Sequence, residues 1–236
     1  MRVLHRTAAA LCGLLALTSL ACARPPGETR EVRTRTAAAE AEWAWLQQAH
    51  RDLEAQRETL ARAEGAAAED LARDVGARTA ELHRRLLAFI NDHPPPAGAK
   101  PTGATLEAIR MKSAEDIRLA REYMSEGGDY RRALGVLEAA LDVDPDNPRL
   151  HEELEAARAR RYMSRERFAQ AREGMTPGQV RSLLGPPNAN DVREYPERGV
   201  TAWFYARNPQ GAAAAVWFAD QGKGPVVYEV DFDALP

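Results

Sequence analysis

The chain has 236 residues, of which 44% are apolar, 28% are charged and 6% are aromatic, and its formal net charge is −3. This length allows more than one hydrophobic core. The acidic balance lacks the basic field that non-specific binding to nucleic acid requires, so we expect no nucleic-acid partner. Aromatic residues concentrate after Arg161, whereas alanine and charged residues dominate the first half. This contrast predicts an extended helical first half and a compact mixed end.

The first residues have the pattern of a targeting segment. Arg2 and Arg6 precede an apolar run that extends from Ala8 to about Ala21. A basic region followed by such a run is typical of a signal peptide. The run is too short to cross a bilayer as a helix, which takes about 20 apolar residues. We therefore predict a signal peptide over residues 1–21.

The residues before Cys22 read Leu-Thr-Ser-Leu-Ala and resemble the lipobox of bacterial lipoproteins. The resemblance implies a lipid on Cys22, and two or three acyl chains make a stable anchor. Ala23 stands where an Asp retains many such lipoproteins in the inner membrane, which favours the outer membrane. The alternative is ordinary cleavage at the Ala-x-Ala site Ala21–Ala23, which would release a soluble periplasmic protein. Because Cys12 leaves with the signal peptide, we expect no intrachain disulfide and no cysteine-based metal cluster.

Two segments follow the anchor. Residues 22–36 contain Pro-Pro-Gly and scattered charge, which predicts a tether. Residues 37–93 predict a coiled-coil-like helical arm, because apolar residues from Trp43 to Phe89 recur at steps of three and four with one shift.

The arm allows two arrangements. Arg57 and Glu64 interrupt its apolar seam, and Gly65 and Gly76 are places where one rod would turn into a hairpin. A rod would dimerise or bind a partner, whereas an antiparallel hairpin would pack on its own chain. The sequence leaves both arrangements open.

A second helical unit is predicted after a Pro/Gly-rich linker over residues 94–104. This unit covers residues 105–163, and residues 114–147 within it resemble one tetratricopeptide repeat. Gly128 lies at the turn between its helices, and Ala133 provides a position of close helix packing.

Asn147 and Pro148 predict the start of a further helix. No second clear repeat follows, and repeat stacks need about three repeats to bury their faces. We therefore expect this unit to lean on the arm, on the C-terminal domain or on a partner.

Two groups of potential metal ligands are better explained without a metal. His50 and His83 lie among charged residues with no neighbouring ligand pattern. A calcium-loop spacing occurs at Asp142, Asp144, Asp146 and Glu153. Pro148 would start a helix inside that loop, which argues against calcium. We predict no bound metal and no cofactor.

The stretch Gly174–Pro187 carries the strongest local signals. Thr176 with Gln179 predicts a capping box, Pro177 suits the first helical position, and Gly185 ends the helix. The string resembles the signature of the SmpA/OmlA family, the BamE-like outer-membrane lipoproteins. The matching residues are Gly174, Met175, Thr176, Gln179, Val180, Leu183, Leu184, Gly185 and Pro187.

The resemblance implies an α+β domain over residues 164–236, with two helices, a three-stranded antiparallel sheet and no enzymatic activity. Hairpin-compatible turns separate three predicted strands, at Val200–Arg207, Ala212–Ala219 and Val226–Phe232. The last strand alternates, which places Val226, Tyr228, Val230 and Phe232 on one face.

Bulky side chains fall on both faces of the predicted sheet, but only one face can meet the signature helix. The other face is covered either by the chain itself or by another molecule. The candidate partner-binding residues are Trp203, Phe204, Tyr205, Trp217 and Phe218. Acidic residues recur on the third strand at Glu229, Asp231 and Asp233. We interpret them as protection of a sheet edge rather than as a cation site.

The sequence thus predicts an α+β protein: a long N-terminal helix or helical hairpin, a tetratricopeptide-like helical unit, and two helices on a three-stranded sheet. It shows no nucleophile–base pair, phosphate loop or metal-ligand cluster, so we predict no enzyme and no catalytic residue. We expect a periplasm-facing outer-membrane lipoprotein that serves as a non-catalytic scaffold or interaction module.

The family resemblance implies a role in β-barrel outer-membrane protein assembly or envelope maintenance. It names the assembly machinery or other envelope proteins as partners, and the arm adds the expectation of self-association. Two alternatives stay open: an independent envelope adaptor that reuses the fold, and a soluble periplasmic protein-binding module.

Overall fold

A computed structural model describes residues 30–220, 222 and 224–235. The predicted signal peptide and Cys22 lie outside these residues. The chain divides into two units, residues 1–41 and residues 42–236. Among the described residues, no helix is both long enough and apolar enough to cross a membrane.

The fold class is α+β, as predicted. The described residues form seven α-helices and then an antiparallel sheet with strand order β1-β2-β3-β4. The helices are α1 (Arg30–Leu60), α2 (Gly65–Asp92), α3 (Gly103–Ser125), α4 (Tyr130–Val143), α5 (Pro148–Arg161), α6 (Arg165–Phe168) and α7 (Pro177–Leu184). The strands are β1 (Val192–Tyr195), β2 (Val200–Ala206), β3 (Ala213–Asp220) and β4 (Pro225–Leu235).

The arm is an antiparallel hairpin, so the rod is excluded. Trp43 near the start of α1 packs on Phe89 near the end of α2, with ring centroids 5.7 Å apart. Gln56 near the end of α1 donates to Asp74 in the first half of α2 at 3.1 Å. Helix α1 begins at Arg30, so residues 30–36 of the predicted tether are helical. These residues contain no proline, and most of them are adequate helix formers.

The apolar seam of the arm is used inside the chain. Its buried residues share one core with Ala108 of α3, and they are Leu46, Leu53, Val75, Leu82, Leu86 and Phe89. Thr105 donates to the carbonyl of His93 at 3.1 Å, which ties the start of α3 to the end of α2 across the linker. The boundary expected at residues 94–104 is therefore not a division, and residues 42–236 form one unit. Self-association through the arm stays a prediction, and the seam residues named above are buried within the chain.

Helices α3, α4 and α5 form the second helical unit. Its turns match the predicted ones, since Asp129 accepts from the Arg132 amide at 3.0 Å and Asn147 accepts from the Arg149 amide at 3.1 Å. Ala133 is fully buried, as its predicted packing position requires. The unit leans on the arm through α3 and shares a core among α3, α4 and α5.

The C-terminal domain places α6 and α7 on one face of the sheet. The sheet has four strands rather than three, because Val192–Tyr195 pairs with β2 as an extra edge strand. This segment reads Val-Arg-Glu-Tyr and has no apolar alternation that would have predicted it.

The predicted alternation of the last strand is wrong at its first residues. Phe218 pairs with Val227, whereas Trp217 pairs with Glu229, so the register shifts between these pairs. This irregularity gives β4 one extra residue near Tyr228. Val227 consequently faces the same core as Phe232.

Candidate functional site

The signature string forms α7 and both of its flanks. The Gln179 amide donates to Thr176 Oγ1 at 3.3 Å, and the Thr176 amide donates to Gln179 Oε1 at 2.8 Å, which completes the predicted capping box. Val180 and Leu184 are buried against the sheet, whereas Leu183 is 39% exposed. The string therefore forms a capped helix that packs on the sheet, and Leu183 is its one exposed large apolar side chain.

The start of the string docks on the sheet. The Gly174 amide donates to the Val227 carbonyl, and the Val227 amide donates to the Met175 carbonyl, each at 2.8 Å. These two bonds extend the pairing of β4 to the segment before α7. The Gly-Met part of the signature thus holds α7 in register with the sheet.

The end of the string docks on the helical unit. Gly128, in the turn between α3 and α4, has a φ of +59°. A Cβ atom at this position would lie 2.4 Å from the Pro186 carbonyl oxygen and 2.8 Å from the Pro187 carbonyl carbon. The two backbones are therefore in direct contact, and only glycine fits between them. The sequence predicted both turns, but nothing in it showed that they meet.

A cleft of about 890 Å³ lies beside this contact, between α3, α5 and α7. We call it the arginine cleft. It is lined by Arg121, Met124, Ser125, Tyr130, Glu153, Ala156, Ala157, Arg160, Arg167, Arg181, Ser182, Leu183, Gly185 and Pro186. Sequence reasoning missed it because its four arginines lie on α3, α5, α6 and α7, far apart along the chain.

The four guanidinium groups differ in their partners. Arg121 pairs with Glu153, and Arg167 donates to the Leu184 carbonyl. Arg181 lies over the Trp203 ring at 5.8 Å from its centroid. The Arg160 guanidinium has no hydrogen bond or ion pair within the described part of the chain. Glu153 is the one carboxylate among the lining residues, so the cleft is strongly positive.

Most of the predicted partner-binding aromatic residues are buried within the chain. Trp203, Tyr205 and Phe218 lie in the core beneath α6 and α7, and Phe204 lies in a smaller core on the other face of the sheet. The Tyr205 hydroxyl donates to the Gly185 carbonyl at 3.1 Å, and burial raises its pKa. The structure thus places these four side chains inside the chain rather than on an open surface.

Trp217 is the half-buried exception. It lies on the outer face of the sheet between Tyr195 and Phe204, with ring centroids 5.6 Å and 6.0 Å away. This face is therefore closed largely by its own aromatic residues and by alanines of β2 and β3. The sequence allowed cover of this face by the chain itself or by another molecule, and the structure shows cover by the chain itself.

A buried ionic cluster lies where α1, α2 and α3 meet. Glu115 and Asp116 of α3 are 2% and 5% exposed. Arg57 of α1 binds both oxygens of Glu115, with N–O distances of 2.9 Å and 2.7 Å, and His50 Nε2 lies 3.5 Å from the same carboxylate. Burial alone would raise the pKa of Glu115, but hydrogen bonds from His50 and Arg57 and nearby guanidinium charge lower it to about 2.

Asp116 belongs to the same ionic cluster. Lys112 Nζ lies 2.6 Å from its carboxylate, and His83 Nε2 of α2 lies 3.3 Å from it. Arg57, one of the two residues that interrupt the predicted apolar seam, is therefore the partner of a buried acid, Glu115. Neither acid was singled out from the sequence, because their burial depends on how α3 packs on the arm.

The ionic cluster is better explained as a structural junction than as a metal site. Ligand atoms of His50, Glu54 and Glu115 lie within 4.8 Å of one another. Arg57 already binds Glu115, and Arg118 donates to Glu54 at 2.7 Å. Both carboxylates are thus neutralised by guanidinium groups, which leaves little attraction for a cation.

The other acidic groups have separate partners. Asp144 accepts from Ser113, Asp146 pairs with Lys100, and Glu153 pairs with Arg121, so the calcium-loop spacing is not assembled into one site.

On the edge strand β4, Asp233 lies 3.0 Å from Arg165 and 2.8 Å from Arg207. Of the acidic residues predicted to protect this edge, Asp233 therefore forms two ion pairs.

Comparison of the chain with protein-family models, with curated proteins and with solved structures finds no match. The resemblance of Gly174–Pro187 to the SmpA/OmlA signature stays a prediction.

Proposed function

We propose that this protein is a periplasm-facing lipoprotein of the outer membrane that acts as a non-catalytic scaffold. The sequence before Cys22 supports the lipid anchor, and the string Gly174–Pro187 supports the choice of membrane. The observation that carries the scaffold role is the arginine cleft, an open and charged surface between the helical unit and α7. Four arginines and one carboxylate line this cleft, and such a charged, open surface is suited to binding a partner.

The partner belongs to the cell envelope in this proposal. The resemblance to BamE-like lipoproteins supports a role beside the β-barrel assembly machinery or in envelope maintenance. Arm residues from Leu46 to Phe89 share one core with Ala108 of α3, and α3, α4 and α5 share another. An adaptor that reuses the fold for another envelope complex is the second candidate, because the arm and the helical unit extend far beyond the signature.

Lipid attachment is tested by replacing Cys22. Cells grown with an alkyne-tagged fatty acid should label the natural chain, and Cys22→Ser should abolish the label and move the protein to the soluble periplasmic fraction, because acyl chains supply the membrane affinity. Cys12→Ser is the matched control and should keep both label and membrane location. A labelled Cys22→Ser protein, or one that stays wholly in the membrane, would contradict the anchor. An unlabelled natural chain in the soluble fraction would favour the periplasmic binding module.

The partner is identified by crosslinking in cells, followed by purification from detergent-solubilised membranes and mass spectrometry. Recovery of the barrel-assembly core supports the family role. Recovery of other envelope proteins supports the adaptor instead. Recovery of this chain alone would contradict both forms of the scaffold proposal.

A further inference from the structure

We propose that the arginine cleft binds an acidic peptide segment of a partner protein, with an apolar side chain of that segment resting on Leu183. This inference rests on the scaffold function proposed above and names the partner chemistry of the same cleft.

The first argument is the local charge. Four arginines and a single carboxylate line the cleft, although the whole chain has a net charge of −3. Arg121 already neutralises that carboxylate. Three guanidinium groups, of Arg160, Arg167 and Arg181, are left without an acidic partner among the described residues. Such a surface attracts carboxylates and repels basic segments.

The second argument concerns the donors that stay open. A guanidinium carries five N–H donors in a planar fork, and it binds carboxylates in pairs of parallel hydrogen bonds. The Arg160 guanidinium uses none of its donors within the described residues, and the Arg167 guanidinium makes one described hydrogen bond, to the Leu184 carbonyl. The helix dipole favours cations in the last turns of α5 and α7. It accounts for the positions of Arg160 and Arg181 along their helices but not for their convergence on one cleft.

The third argument separates a peptide from a small anion. Small ligands are held in pockets that bury most of their surface. Here the side chains of Arg160, Arg181, Ser182 and Leu183 are exposed, so the cleft is open to solvent. At the start of α7, the Thr176 and Gln179 amides already donate within its own capping box, and Pro177 has no N–H to offer a phosphate. An open surface with charged groups around an apolar patch suits a chain segment laid along it.

Leu183 supplies the apolar part of this surface. It is 39% exposed, and Met124, Ala156 and Pro186 line the same cleft. Interfaces concentrate their binding energy in a few apolar anchors surrounded by polar contacts. The contact between Gly128 and Pro186 fixes the distance between the helical unit and α7, so the cleft is shaped before a partner arrives.

A display library of short random peptides, panned on the full-length chain purified in detergent, tests the proposal. Enriched peptides should combine Asp or Glu residues with an apolar residue. The double variant Arg160→Ala and Arg181→Ala should weaken their binding at least about tenfold, because each arginine contributes charge-assisted hydrogen bonds. Arg131→Ala with Arg198→Ala removes two exposed arginines outside the cleft and should leave binding unchanged.

Three results would overturn the proposal. Enriched peptides could lack acidic residues, acidic peptides could bind the cleft variant as tightly as the natural chain, or no peptide could be enriched. Soluble short-chain phosphatidylglycerol and inorganic phosphate serve as competing probes. If either binds through Arg160 and Arg181 while acidic peptides do not, the cleft takes a lipid headgroup or a free anion instead.

Purified protein is used throughout, so this result is independent of Cys22. Loss of lipid labelling with retained peptide binding would reject the membrane anchor and keep the cleft. Labelling with no peptide binding would reject the cleft and keep the anchor.

Discussion

Replacing Arg57 by methionine is expected to lower the free energy of unfolding by about 3–5 kcal/mol at neutral pH. The change removes the guanidinium that binds both oxygens of Glu115, a side chain that is 2% exposed. A buried carboxylate without its partner keeps the cost of desolvation and loses the attraction that offset it. Methionine retains a comparable apolar length, so the lost packing is small. Urea denaturation followed by circular dichroism measures the difference.

Arg62→Met is the matched control on the same stretch of chain. Arg62 pairs with Glu58 at 3.7 Å, but both side chains are more than 70% exposed. Exposed pairs contribute about 0–1 kcal/mol, so this variant should be close to the natural chain. The double variant of Arg57→Met with Glu115→Gln should recover most of the loss, since no buried charge is left alone. Equal stabilities of Arg57→Met and Arg62→Met would contradict the role assigned to the ionic cluster.

The same ion pair predicts a pH dependence. The pKa of Glu115 is lowered from an ordinary 4.5 to about 2 in the folded chain. A carboxyl group with a lowered folded pKa stabilises the fold above its unfolded pKa, and this stabilisation is lost as the pH falls from about 4.5 to about 2. The difference corresponds to about 3 kcal/mol. Glu115→Gln lacks this titration, so its unfolding free energy should fall less steeply between pH 5 and pH 2 than that of the natural chain. Identical slopes would show that Glu115 does not carry this ion pair.

Local signals predicted the helix ends best. The capping box at Thr176, the cap at Asn147 and the turn at Gly128 all occur at their predicted residues. These features depend on hydrogen bonds within a few residues of sequence, so the sequence contains the whole cause. The sequence does not decide between a rod and a hairpin for the opposite reason, because that choice depends on where α3 packs.

Long-range packing explains what the sequence did not predict. Arg57 was interpreted as an interruption of an apolar seam, because its partner Glu115 lies on another helix. The sequence correctly predicts that the aromatic residues of β2 and β3 lie on two faces, but part of the second face is covered by Tyr195, which lies on an unpredicted strand. The alternation of residues along a strand shows that both faces are apolar. It does not show which element covers each face.

The candidate site was the least predictable part. Arg121, Arg160, Arg167 and Arg181 have no shared spacing in the sequence, and each is an ordinary charged residue of an amphipathic helix. They converge because the turn after α7 rests on the turn between α3 and α4. The last residues of the signature stretch, Pro186 and Pro187, therefore help to shape the cleft by packing on Gly128.

Gly128→Ala is expected to lower the free energy of unfolding by about 2–5 kcal/mol through two additive effects. Gly128 has a φ of +59°, which costs an L-residue about 1–2 kcal/mol. The added Cβ would also lie 2.4 Å from the Pro186 carbonyl oxygen, so the two turns would have to separate. The backbone on both sides cannot move aside as a flexible side chain would. Urea denaturation of the variant and the natural chain measures the loss.

Gly65→Ala measures the first effect alone, so its difference from Gly128→Ala gives the second. Gly65 has a φ of +64°, close to that of Gly128, but nothing lies within 4 Å of its added Cβ. Its substitution should cost only the conformational part, about 1–2 kcal/mol. The excess loss in Gly128→Ala then measures the contact between the helical unit and the end of α7. This contact sets the width of the arginine cleft, so Gly128→Ala should also weaken the binding of acidic peptides, whereas Gly65→Ala should not. Equal losses of stability in the two variants would mean that the turns yield easily and that a partner, rather than this contact, sets the shape of the cleft.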